Sequence, residues 1–270
     1  MSDTGESLFK LYRYHPSAAA AAIFVVLFFT VTAIHTYQMV PTKTWYFLPF
    51  VIGGFFKWIR YIGRILSANQ TPDWTVGPYI QQTLLLLVAP ALFAASIYMG
   101  LGRVILLTDG ETHSLIRLKW LTKIFVCGDV VSFVLQGAGG GIMASGTVEA
   151  LEKGEHMVIG GLVVQVLFFS VFVVVGTVFH YQMRMVPTVK VTQEVLPWQA
   201  HMHIPYVASV LILVRSLFRL AEYAQGNDGY LVSHEVFLYI FDAVLMLATM
   251  VVFAWKHPSE INAFLRGRGS

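Results

Sequence analysis

The chain is expected to fold as an all-α integral membrane bundle of seven transmembrane helices, with the N-terminus outside and the C-terminus cytoplasmic. Three observations lead there. Of its 270 residues, 56% are hydrophobic and only 12% are charged, about half the charge of a typical soluble domain. The mean hydropathy is +0.66. The apolar residues also gather in runs of about twenty, the length at which a helix crosses a bilayer core of about 30 Å.

The elements follow in order. The opening "MSDTGESLFKLYRYHPS" is polar and mixed in charge. It lacks the basic-then-apolar pattern of a cleavable signal, so the first apolar run is expected to stay as an anchor. The seven spans are read at 18–38, 45–66, 79–102, 119–141, 157–181, 203–224 and 234–255. Connections are short, and residues 1–270 read as a single seven-helix domain. Backbone polar groups in lipid must bond within their own segment, which makes helices the natural form for such runs. Pro90 falls inside the third span, where a kink is expected. The Gly-rich "QGAGGGIMASG" at 136–146 closes the fourth and suits close helix packing. The single cysteine, Cys127, reads as a small buried thiol and permits no internal disulfide.

Lys and Arg near the span ends set the direction. One side holds Lys10, Arg13 and Lys153, with Arg64 at its edge. The other holds Lys43, Arg103, Arg117, Lys119, Lys123, Arg184, Lys190, Lys256, Arg266 and Arg268, and is expected to be cytoplasmic. Asn69 opens an "NQT" glycosylation sequon on the side assigned outside, although Pro72 follows it directly. Trp45, Tyr46, Trp74, Tyr79, Trp120, Trp198 and Trp255 read as interfacial anchors. A net charge of +3 is too mild to argue for nucleic acid.

The chemistry lies in the charges within the spans. "GGFFKWIRYIGR" at 53–64 sets Lys57, Arg60 and Arg64 on one face of the second helix. The sixth span places Arg215, Arg219 and Glu222 on one face. The seventh places Glu235 and Asp242 seven residues apart. The fourth adds Asp129 and Gln136, and the third and fifth add Gln82 and Gln165. Lys57, Asp129, Arg215 and Asp242 are expected to meet near the midplane, with the others in a layer above them. A lone charge at a helix centre costs about 2.5–3.5 kcal/mol on insertion scales. These side chains are therefore expected to face one another or a wet chamber open to the outer leaflet. A structural ion-pair network that fixes helix register is the competing reading.

Histidines form a second pattern. His35, His180, His201 and His203 all map to the cytoplasmic boundary. Imidazoles suit zinc, copper or haem iron, but "HMH" has no acidic partner at the same depth, so no cofactor is expected and these four stay weak candidates. No phosphate loop, "HExxH", "GxSxG" or "DRY"-type triplet is present.

"YIQQTLLLLVAPALFAASIYMGLGR" in the third span, "GDVVSFVLQGAGGGI" in the fourth, "GGLVVQVLFFSVF" in the fifth, "RSLFRLAEYAQGNDGYLVSHEVFLYIFDAVLM" through the last two and "HPSE" beyond them resemble the fungal RTA-like family. That family is also called the lipid-translocating exporter family. The resemblance implies seven spans, an outside N-terminus, a fungal plasma membrane and a role as transporter or sensor of amphiphiles. Its members are linked to resistance to sterol-like toxins, release of sphingoid bases and porphyrin uptake. Carried over by position, its recurrent polar residues match Gln82, Arg103, Asp129, Gln136, Gln165, Arg215, Arg219, Glu222, Glu235 and Asp242. Span two departs from the pattern: relatives read "ExxGYxxR", whereas here Lys57 stands in place of Glu and Arg60 in place of Gly, with Tyr61 and Arg64 kept. A cationic pocket of this kind would favour a carboxylate or phosphate headgroup over a protonated amine.

Three functions compete on this reading. The first is binding and translocation of amphiphilic lipids (sphingoid base, sterol-like or fatty-acid-like), with membrane lipids or amphiphilic small molecules as partners. The second is a receptor-like sensor without net transport. The third is a membrane enzyme, or a haem- or porphyrin-binding protein, using the cytoplasmic histidines. No ATP machinery is present, and oligomeric state is not legible.

Overall fold

The computed structural model describes residues 16–70, 76–143, 145, 147–193, 198–226, 229–265 and 267, without the side chains of 76–80. Lys10, Arg13, Thr71, Pro72, Trp74, Arg266 and Arg268, and the side chain of Tyr79, lie outside what is described. The described residues contain helices and no strand. In order they are α1 (Ala18–Thr42), α2 (Leu48–Asn69), α3 (Val76–Leu107), α4 (Leu118–Met143), α5 (Val148–Met185), α6 (Val189–Gln193), α7 (Trp198–Ala224), α8 (Tyr230–Ser233), α9 (Glu235–Leu238), a π-helical turn (Tyr239–Val244), α10 (Leu245–Trp255) and α11 (Ser259–Leu265). The backbone at Leu238, Tyr239, Val244 and Leu245 is right-handed helical, so Glu235 to Trp255 is one continuous rod.

Each expected span overlaps a long helix. Five of the rods, those beginning at Ala18, Gln81, Val148, Trp198 and Glu235, are long and apolar enough to cross a membrane by length and composition. The rod α2 has the length, at 22 residues, but any 18-residue window of it holds Lys57, Arg60 and Arg64. The chain is thus an all-α, multi-pass membrane bundle.

The surface is inverted relative to a soluble protein. Val26, Val134, Leu167 and Val210 are more than half exposed, while Lys57, Arg60 and Arg215 are at most 2% exposed. An apolar exterior costs nothing against lipid tails. A charged interior is tolerated only if its members satisfy one another. Because lipid is as apolar as a protein core, helix association here depends on close packing and polar contacts. The α4–α5 crossing shows the first: a Cβ added to either Gly139 or Gly154 would sit 2.6 Å from the other's carbonyl oxygen. On α2, a Cβ at Gly54 would lie 2.6 Å from Thr32 Oγ1 of α1.

Several expectations are corrected. The fifth helix is much longer than 157–181. It starts at Val148, capped by the Thr147 hydroxyl accepting from Ala150 N at 3.3 Å. Glu149 sits in its first turn, ion-paired to Lys153 at 2.6 Å. At 38 residues it reaches about 57 Å, and most of the connection read at 142–156 is its first turns. Cys127 is exposed on α4 rather than buried. Trp198 is buried and stands edge-on to His180, ring centroids 5.4 Å apart, rather than anchoring at an interface. Trp45, Trp120 and Trp255 are exposed.

Candidate functional site: a buried ion cluster

The rod α2 enters the site through an aromatic floor. Phe47 stacks on Phe50 at 4.4 Å, and Phe50 stacks on Phe93 of α3 at the same spacing. Phe253 of α10 meets Phe50 edge-on at 5.0 Å, and His35 does so at 5.1 Å. Two turns further along α2 comes Lys57, the tenth residue of a 22-residue helix and so close to its middle.

Lys57 Nζ donates to both carboxylate oxygens of Asp242, at 3.1 and 3.2 Å. One turn on, Arg60 Nη1 donates to Asp242 Oδ2 at 2.5 Å, so Arg60 belongs to this layer and not to the one above, because its long side chain reaches back along the helix. From α7, Arg215 Nε donates to Asp242 Oδ1 at 2.6 Å. One carboxylate therefore takes three cations from two neighbouring rods, and all four side chains are at most 4% exposed. Asp242 lies in the π-helical turn. Such turns add a residue to a helical turn, re-aim the following side chains and recur at functional sites.

Arg215 also explains Pro90. A proline cannot donate to the carbonyl four residues before it, which leaves Leu86 O without its usual helical partner. Arg215 Nη2 donates to that oxygen at 2.9 Å. The helix runs through Pro90, and the freed carbonyl becomes part of the site.

Above this layer, Glu235 accepts from Arg64 Nη2 at 2.7 Å and from Arg64 Nε at 3.1 Å. Both its oxygens also accept from the Ser17 amide at 3.0 Å, which fastens the start of α1 to the last rod. Between the two layers stand stacked rings: Phe24 on Tyr239 at 5.2 Å, Phe24 on Tyr61 at 5.6 Å and Phe28 on Tyr61 at 5.6 Å. The Arg60 guanidinium lies 5.0 Å from the Tyr61 ring centre, and that of Arg64 lies 5.5 Å from Tyr239. On α7, Arg219 Nη1 donates to Glu222 at 2.5 Å.

The remaining expected residues divide. Gln82 is buried one turn before Leu86 on α3, and neither of its amide atoms has a hydrogen-bond partner among the described residues. Gln136 and Gln165 pair with each other at 3.3 Å, and Gln136 also donates to Ser132 Oγ at 2.6 Å. Ser132 in turn donates to Gly161 O at 2.7 Å, so this group stitches α4 to α5. Asp129 does not join the Asp242 group. Its polar neighbour is Tyr98 of α3, above a cage formed by Phe125, Phe169 and Phe172. Arg103 covers the Tyr46 ring at 5.0 Å.

The four candidate histidines fall in three places. The ring of His35 contacts Met250 O through Nε2 at 2.9 Å, with the His257 ring 6.0 Å away. His180 and His203 face each other at 6.2 Å. His201 Nε2 lies 3.2 Å from Glu260 Oε2 of α11. Among the described residues, no three of His, Cys, Asp and Glu come together in a way that could hold a metal ion.

The sequence reading assigns no site role to Tyr239, Tyr98 or the Leu86 carbonyl, and names Tyr61 only as a kept position of the span-two motif. Two signals were available. Tyr61 lies inside the cationic stretch itself, and Pro90 stands four residues after Leu86 on a span that carries a mid-membrane polar face.

Comparison with known proteins places the chain among relatives. It is 35% identical to Protein RTM1 of Saccharomyces cerevisiae, over 93% of both chains. It is 37% identical to Protoporphyrin uptake protein 1 of the same yeast, again over 93% of both. It is 31% identical to the probable lipid transporter atnI of Emericella nidulans, over 93% of this chain and 68% of that one. No solved structure matches. The model of the RTA1 like protein family matches residues 50–264, which takes in α2 through α11 and every member of the ion cluster, and the chain belongs to that family.

Proposed function

We propose that this protein binds amphiphilic lipids and moves them across a fungal plasma membrane, holding the headgroup at the Asp242 cluster. The observation that carries this reading is the meeting of Lys57, Arg60 and Arg215 on one carboxylate at mid-bundle. Fixing helix register needs no more than a one-to-one pair between rods such as Arg64–Glu235. Charged side chains inside membranes mark substrate paths, and a π-helical turn under the key carboxylate gives that path a place to flex. The names carried by two relatives, a probable lipid transporter and a protoporphyrin uptake protein, support an amphiphilic cargo.

On this reading all seven long rods cross the membrane, with the N-terminus outside, and the whole chain acts as one unit. Lys57, Arg60, Arg64, Gln82, Arg215, Arg219, Glu222, Glu235 and Asp242 form the polar path. Asp129, Gln136 and Gln165 support it from α4 and α5. An apolar groove of about 470 Å³ between α1 and α2, lined by Phe29, Ala33, Phe55 and Trp58, lies on another face of the helix that carries Lys57 and gives the acyl chain somewhere to lie. The cluster is enclosed in this conformation, so passage requires α2 and the last rod to part.

The test is lipid flux. Purified protein reconstituted into vesicles should speed the movement of a fluorescent long-chain lipid between leaflets, and Asp242→Asn should abolish that gain. Binding with no flux above protein-free vesicles would instead support the sensor.

A further inference from the structure

We infer that the cluster is an oxyanion site. It selects amphiphiles whose headgroup is a carboxylate or phosphate and rejects those with a protonated amine. The inference rests on the headgroup reading above and adds the sign of the charge.

The basis is an uneven charge count in a sealed place. Arg64 is matched by Glu235 and Arg219 by Glu222. The Asp242 carboxylate alone faces Lys57, Arg60 and Arg215, and it is the charged partner the structure gives those three cations. Guanidinium groups stay charged in proteins. Among the described residues, Arg60 and Arg215 by themselves therefore leave one positive charge uncompensated, and Lys57 adds a second. Asp129, which the sequence reading set at the same depth, has Tyr98 as its polar neighbour instead. A buried surplus of one sign is costly unless a counter-charge joins it.

The hydrogen-bonding capacity points the same way. Among the described residues, Arg60 Nε and Arg219 Nε are buried donors without a partner. Both polar atoms of the Gln82 amide are also unpartnered, and that amide sits one turn from the Leu86 carbonyl held by Arg215. A planar oxyanion matches the guanidinium fork in two parallel hydrogen bonds. An ammonium headgroup has only donors to offer. It would meet three cations and have to win Asp242 away from all of them. Like-charge juxtaposition of this kind excludes the wrong ligand more strongly than good contacts favour the right one.

The experiment uses the full-length protein in nanodiscs of zwitterionic lipid. Two fluorescent probes, a long-chain fatty acid and a long-chain amine of equal length, are titrated separately. Unlabelled oleate and an alkyl phosphate then compete for the fatty-acid probe. The fatty acid should bind at least about tenfold more tightly than the amine. Lys57→Glu and Arg60→Gln, each shown to melt cooperatively, should bring the ratio toward one or reverse it. If Lys57→Glu does not fold, Lys57→Gln takes its place with the same direction of change. Stronger competition by oleate assigns a fatty-acid-like cargo, stronger competition by the alkyl phosphate assigns a phosphate lipid, and both support the inference. Tighter binding of the amine, or a ratio unmoved in every variant, overturns the oxyanion assignment while leaving amphiphile binding intact. Failure of both probes to bind overturns the headgroup reading itself, and the oxyanion assignment with it.

Discussion

Replacing Asp242 with Asn removes the one negative charge that the described residues bring to a group of three cations, while keeping its shape. Its ion pairs with Lys57, Arg60 and Arg215 span 3.1, 2.5 and 2.6 Å. At an effective dielectric of about 20, each is an attraction of about 5–7 kcal/mol before desolvation is counted. The cations that remain would repel one another. Relaxation and water entry absorb most of this. Measured costs of breaking buried pairs are about 3–5 kcal/mol, and sharing by three partners places Asp242→Asn at the upper end. In detergent-purified protein followed by tryptophan fluorescence, the Tm should fall by roughly 10 °C or more. Lys57→Met alone relieves crowding and should stay within about 1 kcal/mol of the parent. Adding it to Asp242→Asn should recover part of the stability, since two cations repel less than three. An Asp242→Asn protein melting within about 2 °C of the parent would show that these charges do not share a dry site.

Further expectations follow from particular neighbours. Pro90→Ala restores an N–H for Leu86 O, so it competes with Arg215 and should weaken amphiphile binding several-fold while changing the Tm little; circular dichroism and probe titration together check this. Gly139→Leu forces a side chain against the Gly154 carbonyl, which a Cβ would already approach to 2.6 Å. It should cost at least about 1–3 kcal/mol, read as reduced thermal stability, and Gly140→Leu, whose Cβ meets open space, is the control. Glu235→Gln loosens the tie among α1, α2 and α9 and should raise hydrogen exchange at Ser17 and the first turn of α1 before it lowers global stability.

Much of this was legible from residue order. The 57/60/64 and 235/242 spacings fix faces and relative depths on two rods, which brings Lys57 and Arg215 to Asp242, but Arg60, read in the layer above, reaches down to the same carboxylate. Asp129 was misplaced because period and depth say nothing about the angle at which a helix turns in the bundle. The polar face of α4 points toward Tyr98 rather than toward α10. The early start of α5 was hidden because hydropathy marks where lipid begins, not where a helix does. "TVEALEK" carries a cap, an acidic first turn and an i,i+4 pair, all signs of a helix starting in water. Pairing of Leu86 O with Arg215 lay further out of reach, since it joins a missing donor on one rod to a surplus donor on another.

The most direct measurement is photo-crosslinking with a bifunctional lipid that carries a headgroup-proximal diazirine, followed by peptide mass spectrometry. Headgroup adducts should fall on α2 around Lys57 and Arg60, on α3 near Gln82 and Leu86 and on α7 near Arg215, and should fade in Lys57→Met and Arg60→Gln. Adducts confined to outward residues such as Val163, Val171 and Phe29, unchanged in those variants, would mean that the charged interior only holds the helices together.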